Sequence, residues 1–138
     1  MFRIVKTYIF LITIFCPAYS FAQQVTFQDV SSENFKARMD LAAADAVLVD
    51  LRTPDEVKKG IIPNSVNIDY FRKDFEKQIA ALDKSKTYFL YCAVGGRSTE
   101  TAELMVKLGF QKVYNLKEGF SGWRKKKFPV SQIGRAHV

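Results

Sequence analysis

Apolar side chains along this chain recur in two alternating rhythms. AVLVDLR, 46–52, is a continuous apolar run closed by charge, the pattern of a strand covered on both faces, as in a parallel sheet. KTYFLYC, 86–92, repeats that pattern, and KVYNL, 112–116, predicts a further strand. Between these runs the spacing turns helical. Phe35 and Met39 stand four apart behind Ser31 and Ser32, either of which can cap a helix. Phe71, Phe75, Ile79 and Leu82 keep helical spacing through YFRKDFEKQIAAL, and STETAELMVKLGF predicts a helix that starts at Ser98-Thr99 and is closed by Gly109. Shorter elements fill the gaps: a strand within VTFQDV, a helix from Pro54 stopped at Gly60, a Pro63-Asn64 turn, a strand over Val66 to Ile68 and a helical turn in EGFSGW. Strands and helices alternate, which predicts an α/β sandwich with a mostly parallel central sheet flanked by helices.

The first 24 residues break this order. Arg3 and Lys6 precede an apolar run from Tyr8 to Phe15, and Ser20-Phe21-Ala22 supplies small residues at a cleavage position. Residues 1–22 are therefore expected to be a signal peptide, and the run falls short of the ~20 apolar residues that a permanent membrane anchor needs. The mature protein is expected to be exported, to a bacterial periplasm, as a single domain over 23–132. The closing IGRAHV, 133–138, is expected to be a non-native tail, because one reading frame of a widely used sequencing adapter encodes it. That tail carries His137, the single histidine of the sequence.

Composition narrows the class. With 48% hydrophobic and 25% charged residues in 138, the chain has one ordinary globular core. Loss of Arg3 and Lys6 from 21 basic side chains leaves a net of +5 against 14 acidic ones, a mild excess. Four of these charges form the run Arg124 to Lys127, read as a solvated face, and aromatic residues do not interleave with them, so nucleic acid is not an expected partner. Of two cysteines, Cys16 leaves with the signal, so Cys92 has no partner for a disulfide. An unpaired thiol in an oxidising compartment is either buried and inert or reactive.

Its surroundings favour reactivity. Cys92 ends a buried strand, the place where α/β sheets bind ligands, and Ala93, Val94, Gly95, Gly96 and Arg97 can curl around its sulfur. The two glycines allow successive N–H groups to turn inward, and the helix start at Ser98 adds positive potential. The first occupant of such a nest is the Cys92 thiolate, whose ordinary pKa of ~8.5 these surroundings would lower without any histidine base. No metal or cofactor is expected.

CAVGGRS resembles the active-site loop of the rhodanese (sulfurtransferase) family, Cys-x-x-Gly-x-Arg-Ser, at Cys92, Gly95, Arg97 and Ser98. VLVDLRTPDEVKKGIIPNSVNI resembles the family's segment built on Asp-x-Arg, an acidic residue and Gly-His-Ile-Pro-Gly-Ala, and VYNLKEGFSGWRKKKFPV resembles its closing Leu-x-Gly-Gly-x-x-x-Trp and Pro-Val elements. The resemblance spans roughly residues 25 to 130 and implies a rhodanese-like three-layer sandwich. It departs at Ile61 in place of histidine, Asn64-Ser65 in place of Gly-Ala, and Glu118 in place of the first closing glycine. It implies ping-pong transfer: Cys92 takes a sulfane sulfur from a small anion such as thiosulfate and passes it to a thiol, cyanide or a protein partner. Arg97 would pair with the donor or orient the loop; Arg52 would do either, or form a structural pair with Asp55 or Glu56; Asp50 would satisfy backbone donors, and Trp123 belongs in the core.

Two other readings compete. Cysteine phosphatases and arsenate reductases also close a loop on an arginine, but they place five residues between cysteine and arginine where this chain has four. A persulfide carrier or sensing module on the same fold would keep Cys92 and depend on its partner for turnover.

Overall fold

The computed structural model describes residues 26–42 and 44–132. The expected signal peptide with Cys16, and the tail with His137, lie outside the described residues. In chain order the elements are β1 (Gln28–Val30), α1 (Ser32–Leu41), β2 (Ala46–Asp50), α2 (Pro54–Val57), β3 (Val66–Asn67), α3 (Phe75–Ala80), β4 (Thr87–Tyr91), α4 (Gly96–Lys107), β5 (Lys112–Leu116) and α5 (Gly119–Lys125). The five strands form one sheet in the order β1-β5-β4-β2-β3, and every strand pair is parallel. An antiparallel bridge, Ile61 with Ser131, lies outside the strands.

Alternation along the strands divides the core into the two outer interfaces of a three-layer sandwich. Val49, Leu51, Tyr88, Leu90, Cys92 and Val113 pack with Phe75 and Ile79 of α3 and Ala102 and Met105 of α4. Leu48, Phe89, Tyr91 and Leu116 face the other way, against Phe35 of α1 and Phe120 and Trp123 of α5. Trp123 is a core residue, and its Nε1 donates to the Pro129 carbonyl at 2.8 Å. The run after it is solvent-exposed, with Lys126 paired to Glu33.

Two helix starts differ from the periodicity. α3 begins at Phe75 rather than near Phe71, which is 67% exposed. The Phe71 N–H donates to Asp69 Oδ1 at 3.0 Å, so a local Asx-type turn takes the backbone that the helical spacing had claimed. α4 begins two residues early, at Gly96, because Gly95 adopts φ +101° and turns the chain directly from the loop into the helix. The strand expected within VTFQDV is Gln28–Val30.

The departures at 61, 64 and 65 are accommodated. Asn64 takes φ +66°, a left-handed conformation that asparagine tolerates better than most residues and that a glycine would enter freely. Ser65 Oγ lies 3.0 Å from Tyr91 Oη, and Ile61 exchanges both bridge hydrogen bonds with Ser131.

One buried polar network fixes the carboxyl ends of β2 and β4. Asp50 and Arg52 are both buried; Arg52 Nη2 reaches Asp50 Oδ2 at 2.6 Å and Arg52 Nε reaches Oδ1 at 2.9 Å. Arg52 N donates to Asp50 Oδ1, and the guanidinium also donates to the carbonyls of Gly60 at 2.8 Å and Glu56 at 3.3 Å. Tyr91 Oη donates to Asp50 Oδ2 at 2.6 Å and accepts from Ile62 N at 3.2 Å. Burial, reinforced by the Asp50 carboxylate, holds the Tyr91 phenol far above its ordinary pKa, so it stays a donor. Removing one member of a buried charge pair strands the other, so Asp50→Ala is expected to cost about 3 to 5 kcal/mol in urea unfolding. Tyr91→Phe keeps the pair but leaves the Ile62 N–H unpaired, and should cost about 1 to 3 kcal/mol. Equal losses in the two variants would show that the charge pair is not the dominant element.

Candidate active site at the Cys92 loop

β4 ends at Tyr91 and delivers Cys92 into a tight loop. The thiol is 1% exposed. Its Sγ accepts from Gly95 N at 3.1 Å and lies 3.5 Å from Ser98 Oγ. Burial pushes the thiol pKa up, but hydrogen bonds from the Ser98 hydroxyl and from the backbone of Ser98, Val94 and Gly95 outweigh it, and the net direction is down. Of the two glycines expected to turn N–H groups inward, Gly95 turns its N–H onto the sulfur. Gly96 opens α4, and a side chain there would meet nothing within 4 Å. Val94 at the loop apex is 70% exposed.

The loop is clamped from β5 and α5. Phe120 N donates to the Cys92 carbonyl at 2.8 Å and Ser121 N to the Ala93 carbonyl at 3.0 Å. Close approach rules out larger residues at two positions: a Cβ on Gly95 would come within 2.2 Å of the Lys117 carbonyl oxygen, and one on Gly119 within 2.5 Å of Val94 N. This locates the strict requirement in the closing pair. Gly119, at φ +60°, has no room for a side chain, whereas position 118 has, and Glu118 uses it. Its Oε2 accepts from Ser32 N and Ser32 Oγ, both at 2.9 Å, tying the start of α1 to the start of α5.

Arg97, not Arg52, takes the Glu56 carboxylate. Arg52 pairs with Asp50 and touches Glu56 only through its carbonyl, so the predicted side-chain pairing with Asp55 or Glu56 is not formed; Asp55 pairs with Lys58 instead. The Arg52 guanidinium also sits over Phe120, 3.9 Å from the ring centroid, which joins the buried pair to the clamp. The carboxylate of Glu56 goes to Arg97, with Nη1 to Oε2 at 2.9 Å and Nη2 to Oε1 at 2.7 Å. That geometry is bidentate and charge-assisted. Glu56 Oε2 also accepts from Thr53 N and Oγ1, completing the capping box of α2. Arg97 thus orients the loop by bracing it against α2. Asp50 satisfies a backbone donor at Arg52, as expected, and carries the guanidinium besides. Thr53 and Glu56 were missed as site residues; the Thr-x-x-Glu capping box was legible in TPDE, but nothing local announces its second partner.

Beside the loop lies a cleft of about 220 Å³ lined by Arg52, Glu56, Ala93 and Phe120. A larger cleft, about 360 Å³, sits at the opposite end of the sheet against Ala46, Thr87 and Lys112, the first residues of β2, β4 and β5. Volume alone would point to the end without the nucleophile. Among the described residues no cluster of three His, Cys, Asp or Glu side chains is placed to hold a metal, and no helix is long and apolar enough to cross a membrane.

Residues 31–126 match the Rhodanese-like domain family. A sulfurtransferase of Allochromatium vinosum is 26% identical over 102 residues, covering 74% of this chain and 92% of that protein. A putative sulfurtransferase of Bacillus subtilis is 30% identical over 96 residues, covering 70% of this chain and 89% of its own. Among solved structures, a rhodanese-related protein of Thermoplasma volcanium is similar with a TM-score of 0.65 at 25% identity, over 75% of this chain and 97% of the other. The matched span runs from the first helix through α5, so it takes in the cysteine loop, its α2 brace and its α5 clamp, and the chain belongs to the rhodanese-like domain family.

Proposed function

We propose that this protein is a sulfurtransferase that carries sulfane sulfur on Cys92. The Cys92 thiolate attacks the outer sulfur of a small anionic donor such as thiosulfate; the donor's S–S bond breaks and sulfite leaves with the electron pair. A thiolate or cyanide then attacks the terminal sulfur of the persulfide, forming a new persulfide or thiocyanate and returning Cys92 as the thiolate. No redox partner is needed, because each step exchanges one bond to sulfur for another. The observation that carries this reading is the state of the sulfur: a buried thiol whose hydrogen-bond donors more than offset its desolvation. The relatives named as sulfurtransferases support it.

The four-residue spacing from Cys92 to Arg97 favours sulfur transfer over phosphate or arsenate chemistry, whose loops place five residues there. Glu56 braces both terminal nitrogens of Arg97, whose charge the Cys92 sulfur also favours. Residues 1–22, read as a signal peptide, support export to a bacterial periplasm, where the acceptor would be a small thiol or a thiol-bearing protein.

Intact mass provides the decisive test. Reduced protein treated with thiosulfate should gain one sulfur, about 32 Da, and lose it to cyanide with release of thiocyanate, while Cys92→Ser gains nothing. Thiocyanate formed by Cys92→Ser at the wild-type rate would refute the mechanism.

The Glu56–Arg97 brace gives a pH signature. The Arg97 guanidinium, aided by the Thr53 donors against burial, lowers the Glu56 pKa from 4.5 to about 2. A carboxylate depressed in the folded state contributes stability that is full above its ordinary pKa and is lost as pH falls through the folded value. The melting-temperature advantage of wild type over Glu56→Gln should therefore be constant from pH 7 to 5 and shrink between about pH 4.5 and 2. An advantage that does not change across that window would mean that the carboxylate's charge is immaterial to the brace.

A further inference from the structure

The Gly95 carbonyl oxygen is reached by three donors: Thr99 N at 2.9 Å, Thr99 Oγ1 at 2.9 Å and Ser98 Oγ at 3.0 Å. A carbonyl has two lone pairs. Ser98 Oγ is also the donor that faces Cys92 Sγ at 3.5 Å, and a hydroxyl has one proton to give. The carbonyl and the sulfur therefore compete for a single proton. If Thr99 fills the carbonyl with both its N–H and its hydroxyl, the Ser98 proton is left for the sulfur.

Asn115 decides which way the Thr99 hydroxyl points. It sits on β5, directly opposite Asp29 of β1 in the parallel ladder, and it is wholly buried. Its Nδ2 lies 2.7 Å from Asp29 Oδ1 and 2.9 Å from Thr99 Oγ1. A carboxylate only accepts, so the amide must turn its NH2 group to Asp29 and give the second proton to Thr99. Thr99 Oγ1, now an acceptor from Asn115, sends its own proton to Gly95. The same orientation leaves Asn115 Oδ1 buried and, among the described residues, without a partner. That atom carries a desolvation penalty that an apolar residue at 115 would avoid, so the amide is retained for its two donations.

We propose that Asn115 and Thr99 are positioning residues for the Cys92 sulfur: the chain Asp29, Asn115, Thr99, Gly95 carbonyl reserves the Ser98 hydroxyl proton for Sγ. The same chain holds the Gly95 peptide, whose N–H also donates to the sulfur. This rests on Cys92 being the working nucleophile, and it makes thiolate stability depend on a residue of the neighbouring strand β5 that makes no hydrogen bond to the cysteine.

The test is the pH dependence of iodoacetamide alkylation of the reduced protein, which reads thiolate population without any sulfur transfer. Thr99→Val keeps the shape and removes the hydroxyl. It should be alkylated about fivefold more slowly at pH 7 and converge on wild type at high pH, where every thiol is ionised. Thr99→Ser should restore the wild-type profile, and Asn115→Leu should shift the profile in the same direction as Thr99→Val. In a Ser98→Ala background the Thr99→Val change should have a markedly smaller effect, since the proton in dispute is gone and only the hold on the Gly95 peptide remains. A wild-type profile for Thr99→Val, a slowing that persists equally at high pH, or full additivity with Ser98→Ala would each overturn the proposal. Loss of the thiosulfate mass gain with this alkylation pattern intact would instead count against the sulfurtransferase reading alone.

Discussion

The Asp50 carboxylate is the constraint on which the site depends. Burying a carboxylate and a guanidinium together is favourable only when nearly every donor and lone pair is used, and here Arg52 N, Nε and Nη2 and the Tyr91 phenol all converge on it. The remaining guanidinium donors close on Gly60 and Glu56, and the phenol accepts from Ile62. One carboxylate thereby holds the ends of β2 and β4 and both sides of the 56–62 connection. Cys92 is the residue after Tyr91, so its position follows directly from this network. Phe120, beneath Arg52, carries the same constraint into the α5 clamp.

At the sulfur, two opposing effects meet and the hydrogen-bond donors prevail. A thiol 1% exposed pays a desolvation penalty as a thiolate, which alone would make Cys92 an inert core residue. Donors fixed by backbone geometry reverse the outcome, and because Gly95 and Gly119 are pinned by close contact, those donors are already in place before any substrate arrives. Such a site has no need of histidine, and the described residues contain none.

Much of this was legible in the sequence because a parallel sheet announces itself. Buried on both faces, β2 and β4 read as unbroken apolar runs, and the glycines after Cys92 leave few conformations but a curled loop. What failed to read was decided by partners that residue spacing does not announce. Phe71 has helical spacing with Phe75, yet an Asp69 turn outcompetes the helix. Arg52 has acidic neighbours at 55 and 56 but finds its partner at Asp50, because strand geometry turns both side chains into the same buried space, while Glu56 is left to Arg97. A lone asparagine in KVYNL carries no signal; only the register that sets it against Asp29 gives it meaning.

The saturation of Glu56 bears on the kind of chemistry the site can perform. Its two oxygens receive Thr53 N, Thr53 Oγ1 and both terminal nitrogens of Arg97, and its pKa lies near 2. A carboxylate so engaged is neither a proton acceptor near neutrality nor a donor, so the acidic residue next to the loop is removed from acid–base work. Sulfur transfer tolerates that loss. Thiolate attack at a sulfane sulfur expels a stable anion, and the acceptor's attack expels the cysteine thiolate, so neither step requires a proton in flight. Hydrolysis of a phosphate ester would need one for its leaving group. The loop keeps a thiolate ready and provides no proton donor among the carboxylates that flank it, and this division of labour suits a carrier of sulfur better than a hydrolase.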